Sequence, residues 1–112
     1  MKFRGLLLFA CLWVAPVSAN VEQDVKVLIE QIEQSSCSFI RNGESYDPHQ
    51  AAEHILKKWN YAQDDVTDIE VFITEVASRS WFSGKPYMVE CGEKRITSEN
   101  WLKQLWQQAN QP

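Results

Sequence analysis

Apolar residues return every three or four positions in four separate stretches of the chain, and the segments between them are short. Val21, Val25, Leu28, Ile29 and Ile32 form the first such stripe, with Glu22, Asp24, Glu30 and Glu33 elsewhere on the wheel, which predicts an amphipathic helix from Asn20 to Ser35. The acids near its start suit the positive end of the helix dipole. Asp47-Pro48-His49-Gln50 then supplies an N-cap, a proline at the first helical position and a Gln three residues after the cap. The stripe Ala51, Ala52, Ile55, Leu56 and Trp59 continues it as a second helix from about Pro48 to Tyr61. Beyond the polar Gln63-Asp64-Asp65, a third stripe of Ile69, Phe72, Ile73, Val76 and Ala77 starts behind Thr67 or Asp68 as cap and ends near Ser78. The last stripe, Trp101, Leu102, Leu105, Trp106 and Ala109, follows the cap candidates Thr97 and Ser98 and predicts a fourth helix that frays into Gln107 to Pro112.

Two stretches break this rhythm. Ser38-Phe39-Ile40-Arg41 and Glu44-Ser45-Tyr46 flank Asn42-Gly43, the dipeptide best suited to the positive backbone angles of a type I′ hairpin turn, so a short hairpin is expected. Tyr87-Met88-Val89-Glu90-Cys91 follows the turn residues Ser83-Gly84-Lys85-Pro86 as a strand, with Tyr87, Val89 and Cys91 on one face. The expected architecture is α+β: about four helices packed on a small antiparallel sheet of two or three strands, in a single domain over residues 20–112.

The N-terminus follows another logic. Lys2 and Arg4 precede ten apolar residues, Leu6 to Ala15, and then come Pro16 and the small-residue tripeptide Val17-Ser18-Ala19. These are the three parts of a signal peptide, and a run this short, closed by a proline, falls well below the ~20 apolar residues of a spanning helix. Residues 1–19 are therefore read as a signal peptide cleaved after Ala19. Leu8-Phe9-Ala10-Cys11 loosely resembles a lipobox, but the apolar run continues past the cysteine. No stable membrane insertion is expected after cleavage.

Removal of this segment takes Cys11 with it and leaves Cys37 and Cys91, an even pair in an oxidising compartment, hence one expected disulfide. Redox chemistry by two free thiols would want a Cys-x-x-Cys or a flanking cluster of activating cations, and neither is present. Loss of Lys2 and Arg4 also moves the net charge from −4 to −6, which argues against nucleic acid or anionic lipid as a partner.

Candidate chemistry is sparse. His49 and His54 lie five residues apart, about 140° around a helix, and diverge instead of converging on a metal. Their simple roles are in the first turn and on a polar face beside Glu53 and Lys57. Asp64, Asp65, Asp68 and Glu70 lack the spacing of a calcium loop, no G-x-S-x-G or S-x-x-K is present, and Gly84-Lys85 lacks the earlier glycine of a P-loop. No cofactor or metal is implied.

One asymmetry stands out. Residues 44–75 hold eight acids against Lys57 and Lys58, whereas residues 79–95 hold Arg79, Lys85, Lys94 and Arg95 against Glu90 and Glu93. Trp81, Phe82 and Tyr87 surround the same turn, so a basic and aromatic surface there suits an anionic, peptide or glycan group or an envelope protein. Arg41, Lys85 and Tyr87 are its candidate contact residues. Trp106 is added as a candidate on the last helix, where core packing is the simpler role for it and Trp101. The reading favoured is a non-enzymatic binding or protein-interaction module. Its alternatives are a small envelope-polymer hydrolase or transferase using a hydroxyl nucleophile or carboxylates such as Glu44 and Asp47, and a structural subunit with a large apolar patch on the fourth helix.

With these residues in view, the stretch from Cys37 through Phe39, Arg41 and Asn42 to Gly43, the Ala51-Ala52 helix ending in Trp59-Asn60-Tyr61, and Ser83-Gly84-Lys85-Pro86-Tyr87 with Cys91 resemble the YfeK-like family. These are small exported bacterial proteins with a domain of unknown function. The likeness spans about residues 25–106 and implies a periplasmic home in a Gram-negative bacterium. It brings no activity, substrate or site residue with it.

The first expected outcome concerns processing: the intact mass of the protein recovered from expressing cells corresponds to a chain beginning at Asn20, two hydrogens lighter than the reduced form. A mass that retains Lys2 and Arg4 would count against cleavage.

Overall fold

The computed structural model describes residues 20–109, so the segment read as a signal peptide, residues 1–19, lies outside the described residues, as do residues 110–112. Within them, the order is α1 (Val21–Gln34), β1 (Ser38–Arg41), β2 (Glu44–Tyr46), α2 (Pro48–Ala62), α3 (residues 69–76), β3 (Met88–Cys91), β4 (Lys94–Thr97) and α4 (Ser98–Ala109). The four strands form one antiparallel sheet in the order β2-β1-β3-β4.

The local chemistry accounts for most of these boundaries. The Asn20 side chain accepts from Gln23 N–H at 3.2 Å and caps α1, while the Asp47 carboxylate and Gln50 side chain satisfy each other's backbone N–H groups in a capping box at the start of α2. Asp68, one of the two candidate caps for the third helix, accepts from Val71 N–H at 3.0 Å. Thr97 receives Asn100 N–H at 3.2 Å and caps α4. Asn42 and Gly43 both take positive φ, 51° and 84°, the requirement of a type I′ turn, and close the β1–β2 hairpin at the Arg41–Glu44 pair.

The sheet has four strands where two or three are expected from the sequence. The additional strand, β4, pairs with β3 through a two-residue turn in which Gly92 carries the positive φ of 64°. Lys94 and Arg95 on this edge are exposed and only Ile96 and Thr97 are half-buried, so its apolar alternation is too weak to read along the chain. The third helix also departs from an ideal α-helix. One α-turn, Ile69–Val71, widens into π-type hydrogen bonding over Phe72–Val76, with Ala77 N–H donating to Phe72 C=O at 3.0 Å.

Helices α1, α2 and α3 bury Val25, Leu28, Ile32, Ile55, Trp59, Phe72 and Ile73 against one face of the sheet, where Phe39 and Val89 pair across β1 and β3. Trp59 meets Phe72 edge to face at 5.9 Å between ring centroids, and Phe39 meets Trp101 at 5.3 Å. Cys37 and Cys91 form the expected disulfide, tying the entry of β1 to the end of β3.

The bond spans 54 residues of sequence, a loop for which unfolded-chain entropy gives about 4 kcal/mol of stabilisation. The double variant Cys37→Ser/Cys91→Ser is therefore expected to lose about that much unfolding free energy in urea titration. An unchanged midpoint and slope would show that the cross-link does not limit the unfolded chain.

Candidate binding site

Positions 51, 54, 55 and 58 of α2 lie one above another on a helix, and two of the four are polar. Alongside Ala51 and Ile55, this face therefore carries His54 and Lys58 into the space between α2, the sheet and the segment after α3. Lys58 is only 6% exposed. Its ammonium donates to Arg79 C=O at 2.7 Å and to the Tyr87 hydroxyl at 2.9 Å, and stands 4.5 Å from the Trp81 ring centroid and 4.8 Å from that of Tyr87.

Tyr87, 7% exposed, holds His54 Nε2 at 3.2 Å from its hydroxyl. An ammonium can only donate, so the phenolic oxygen accepts from Lys58, and the His54–Tyr87 hydrogen bond takes its direction from the imidazole tautomer. The titration properties agree with this chain. Burial, reinforced by Arg41, Lys58 and Lys57, pushes the His54 ring down to about 4 and keeps it neutral. Burial, with Arg41 and Arg79 nearby, likewise brings the Lys58 amine down to about 8, and burial raises the Tyr87 phenol.

Arg41 reaches the same place from the sheet. It lies two residues after Phe39 and shares its helix-facing side, and the Ile40–Met88 pairing sets it opposite Tyr87. Its guanidinium stacks 4.1 Å over the Tyr46 ring. Among the described residues, neither Arg41 nor Lys58 has a carboxylate within ion-pair distance, whereas Arg79, Arg95 and Lys103 each do. The cavity that Arg41 borders has a volume of about 30 Å³ and no acid in its lining, and Lys58 lies behind it, on the Tyr87 hydroxyl. Its floor is apolar and nearly unexposed, formed by Ile32, Ile55, Ala77 and Leu102, while half-buried Arg41, Tyr46 and His54 stand at its rim.

The segment from Arg79 to Tyr87 is held in shape by backbone and hydroxyl groups. Arg79 and Pro86 bridge its ends, Ser80 N–H donates to Lys85 C=O at 3.0 Å and Tyr87 N–H donates to Ser78 C=O at 2.8 Å. The buried Ser80 hydroxyl accepts from Phe82 and Ser83 N–H groups, both at 3.1 Å, and from the Asn42 amide at 3.4 Å. Ser83 donates back to Asn42 at 2.7 Å. The tip of the β1–β2 hairpin is thus clasped to this loop, which fixes Arg41 relative to Tyr87.

Of the four residues expected at a binding surface, the structure unites Arg41 and Tyr87 at one cavity. Lys85 is exposed on the adjoining loop, two residues before Tyr87, and does not line the cavity. Trp106 packs from α4 against the core, outside the cavity lining. The reading of His54 as a residue on a polar face is corrected: it is half-buried against Tyr87, edge to face at 6.0 Å. His49 does stay at the surface, paired with Glu33 at 2.9 Å and facing Glu53 at 3.8 Å, and these carboxylates raise its pKa. Lys58 entered the sequence reading only as a charge, although its spacing from Ala51 and Ile55 placed it on the buried stripe.

The carboxylates considered for catalysis are engaged locally. Glu44 accepts from the Tyr46 hydroxyl at 2.9 Å and Asp47 caps α2. Among the described residues, no group of three or more His, Cys, Asp or Glu is placed to hold a metal ion, and no helix is long and apolar enough to cross a membrane.

A model of a family of unknown function, DUF5329, matches residues 19–110. An uncharacterized protein, YfeK of Salmonella typhimurium, is 33% identical over 84 residues, which cover 74% of this chain and 69% of that protein. No solved structure matches the chain.

The two histidines provide a test of the site's electrostatics within one experiment. In an NMR pH titration His54 is expected to titrate near 4 and His49 above the ordinary 6.5. Because the folded-state value of His54 is depressed, its neutral form contributes stability that is complete above about 6.5 and is lost as pH falls toward 4. Replacing Arg41 with Ala moves the His54 midpoint upward and leaves His49 in place. A His54 midpoint at or above that of His49 would contradict the site described.

Proposed function

We propose that this chain, which belongs to the DUF5329 family of unknown function, is a non-enzymatic binding module of the bacterial periplasm that receives an anionic group of its partner at Arg41, His54 and Tyr87. The observation that carries this reading is Arg41, which has no carboxylate within ion-pair distance among the described residues and lines a cavity without an acid, while the Lys58 ammonium lies behind Tyr87 of the same lining. Taking a charge out of water without a counterion costs several kcal/mol, so such an arrangement favours an anion brought from outside. The arrangement also has donors ready for it. The Arg41 guanidinium keeps its N–H groups while its face stacks on Tyr46.

Lys85 extends the positive field from the exposed loop and steers an anionic partner toward the rim. Trp106 is assigned a lesser part, as a half-buried aromatic on α4 at the margin of a larger contact. The periplasmic location rests on the signal-like N-terminus and is supported by the Cys37–Cys91 bond, which belongs to an oxidising compartment.

Titration of the purified protein with sodium formate and sodium sulfate, followed by NMR, tests the anion site directly. Saturable shifts are expected at the His54 ring and at the backbone of Arg41 and Tyr87. Loss of a charged hydrogen-bonding group predicts about tenfold or more weaker binding for Arg41→Ala. Lys85→Ala, which removes only a distant screened charge, is expected to weaken binding about two- to threefold without lowering stability. An absence of saturable shifts at these residues would overturn the reading.

A further inference from the structure

We propose, resting on the anion-site reading above, that the anion is the C-terminal carboxylate of a peptide whose last residue has a small aliphatic side chain, with that side chain seated in the cavity and the preceding backbone lying along the free edge of β2. Three observations point to this chemistry.

The first is charge. His54 is neutral, and Lys58 sits beneath Tyr87 with its ammonium already donating to two oxygens, so among the described residues that line the cavity Arg41 is the one cation able to contact a ligand directly. One planar guanidinium matches a planar monoanion through two parallel N–H···O bonds. A phosphate dianion would need more donors than this rim holds.

The second is volume. A cavity of about 30 Å³ admits roughly two water-sized groups, since each takes about 10–15 Å³. Its walls include Phe39 and Trp101 as well as the aliphatic floor, so the groups that belong there are apolar. The side chain of alanine or valine branches from the carbon that bears a C-terminal carboxylate. Such a residue therefore sets a short hydrocarbon group beside its charge, as the floor and rim of this cavity require.

The third is the strand edge next to it. β2 ends the sheet, and no strand covers its outer side among the described residues. The two-residue turn makes Arg41–Glu44 the hydrogen-bonded closing pair, so the next position, Ser45, directs its N–H and C=O outward. Tyr46, the residue after it, lines the cavity. A chain whose terminus lies at Arg41 therefore passes unpaired backbone groups at Ser45, and both capture of a C-terminal carboxylate and addition to a sheet edge are established modes of peptide recognition.

The test uses four probes on the purified protein, followed by NMR and calorimetry: acetyl-Gly-Gly-Val with a free C-terminus, the same peptide as its C-terminal amide, acetyl-Gly-Gly-Gly with a free C-terminus, and sodium isobutyrate. The free-acid valine peptide is expected to bind about tenfold or more tighter than its amide and several-fold tighter than the glycine peptide, with shifts at Ser45 as well as Arg41. Ala51→Val, which narrows the cavity, is expected to remove the preference for valine over glycine while formate still binds at the rim. Equal binding of the valine and glycine acids with formate still saturable would overturn the cavity's role and leave the anion site standing. Isobutyrate binding as tightly as the tripeptide, without shifts at Ser45, would overturn the peptide in favour of a free short-chain acid. Failure of every anion, formate included, would remove both the proposal and the reading beneath it.

Discussion

The ammonium of Lys58 is where the separate parts of this small domain meet. It is carried inward by α2, it satisfies the Arg79 carbonyl at the start of the loop, and it holds the Tyr87 hydroxyl at the entry to β3. Trp81 lies across it from the exposed side. Three segments distant in sequence are thereby fixed around one charge, and the polarity of the cavity rim follows from that choice. With Lys58 donating to it, the Tyr87 hydroxyl is held where it also meets His54 Nε2 at 3.2 Å. An apolar side chain at position 58 would pack the same space without fixing any of these directions.

Such an arrangement opposes stability locally. The Lys58 amine is depressed to about 8 by burial and by the nearby guanidinium groups, so the folded state holds its charge less readily than the unfolded chain does. The compensation lies elsewhere. The disulfide pins the sheet's two inner strands at one end, the Asn42 clasp pins the hairpin tip to the loop at the other, and the core of α1, α2 and α3 supplies the burial.

The fold was readable in the sequence wherever a local rule and the burial pattern agreed. Asn42-Gly43 announces its turn, Asp47-Pro48 together with Gln50 announces the start of α2, and the two cysteines left after Ala19 announce their bond. β4 was not readable because an edge strand turned half to solvent carries Lys94 and Arg95 where a buried strand would show apolar alternation. The site was half readable. Arg41 and Tyr87 could be singled out by the company they keep near the sheet and the turn, but the chain gives no direct signal that they share a cavity. His54 and Lys58 were hidden by their residue types: their spacing put them on the buried face, and their polarity argued for the surface. Polar residues at stripe positions are the signal that separates such a site from an ordinary amphipathic helix.

The widened turn at Phe72–Val76 has a consequence for how the loop meets α2. A π-type turn accommodates one residue more than an α-turn, and each helical residue advances the chain by about 100° around the axis. The added residue therefore rotates everything that follows, including the Arg79 carbonyl that receives Lys58. The meeting of loop and helix is set by counting as much as by chemistry. Between Asp68 and Arg79 the number of residues is itself part of the site, and a change of one there would turn the acceptor away from its donor with every side chain still present.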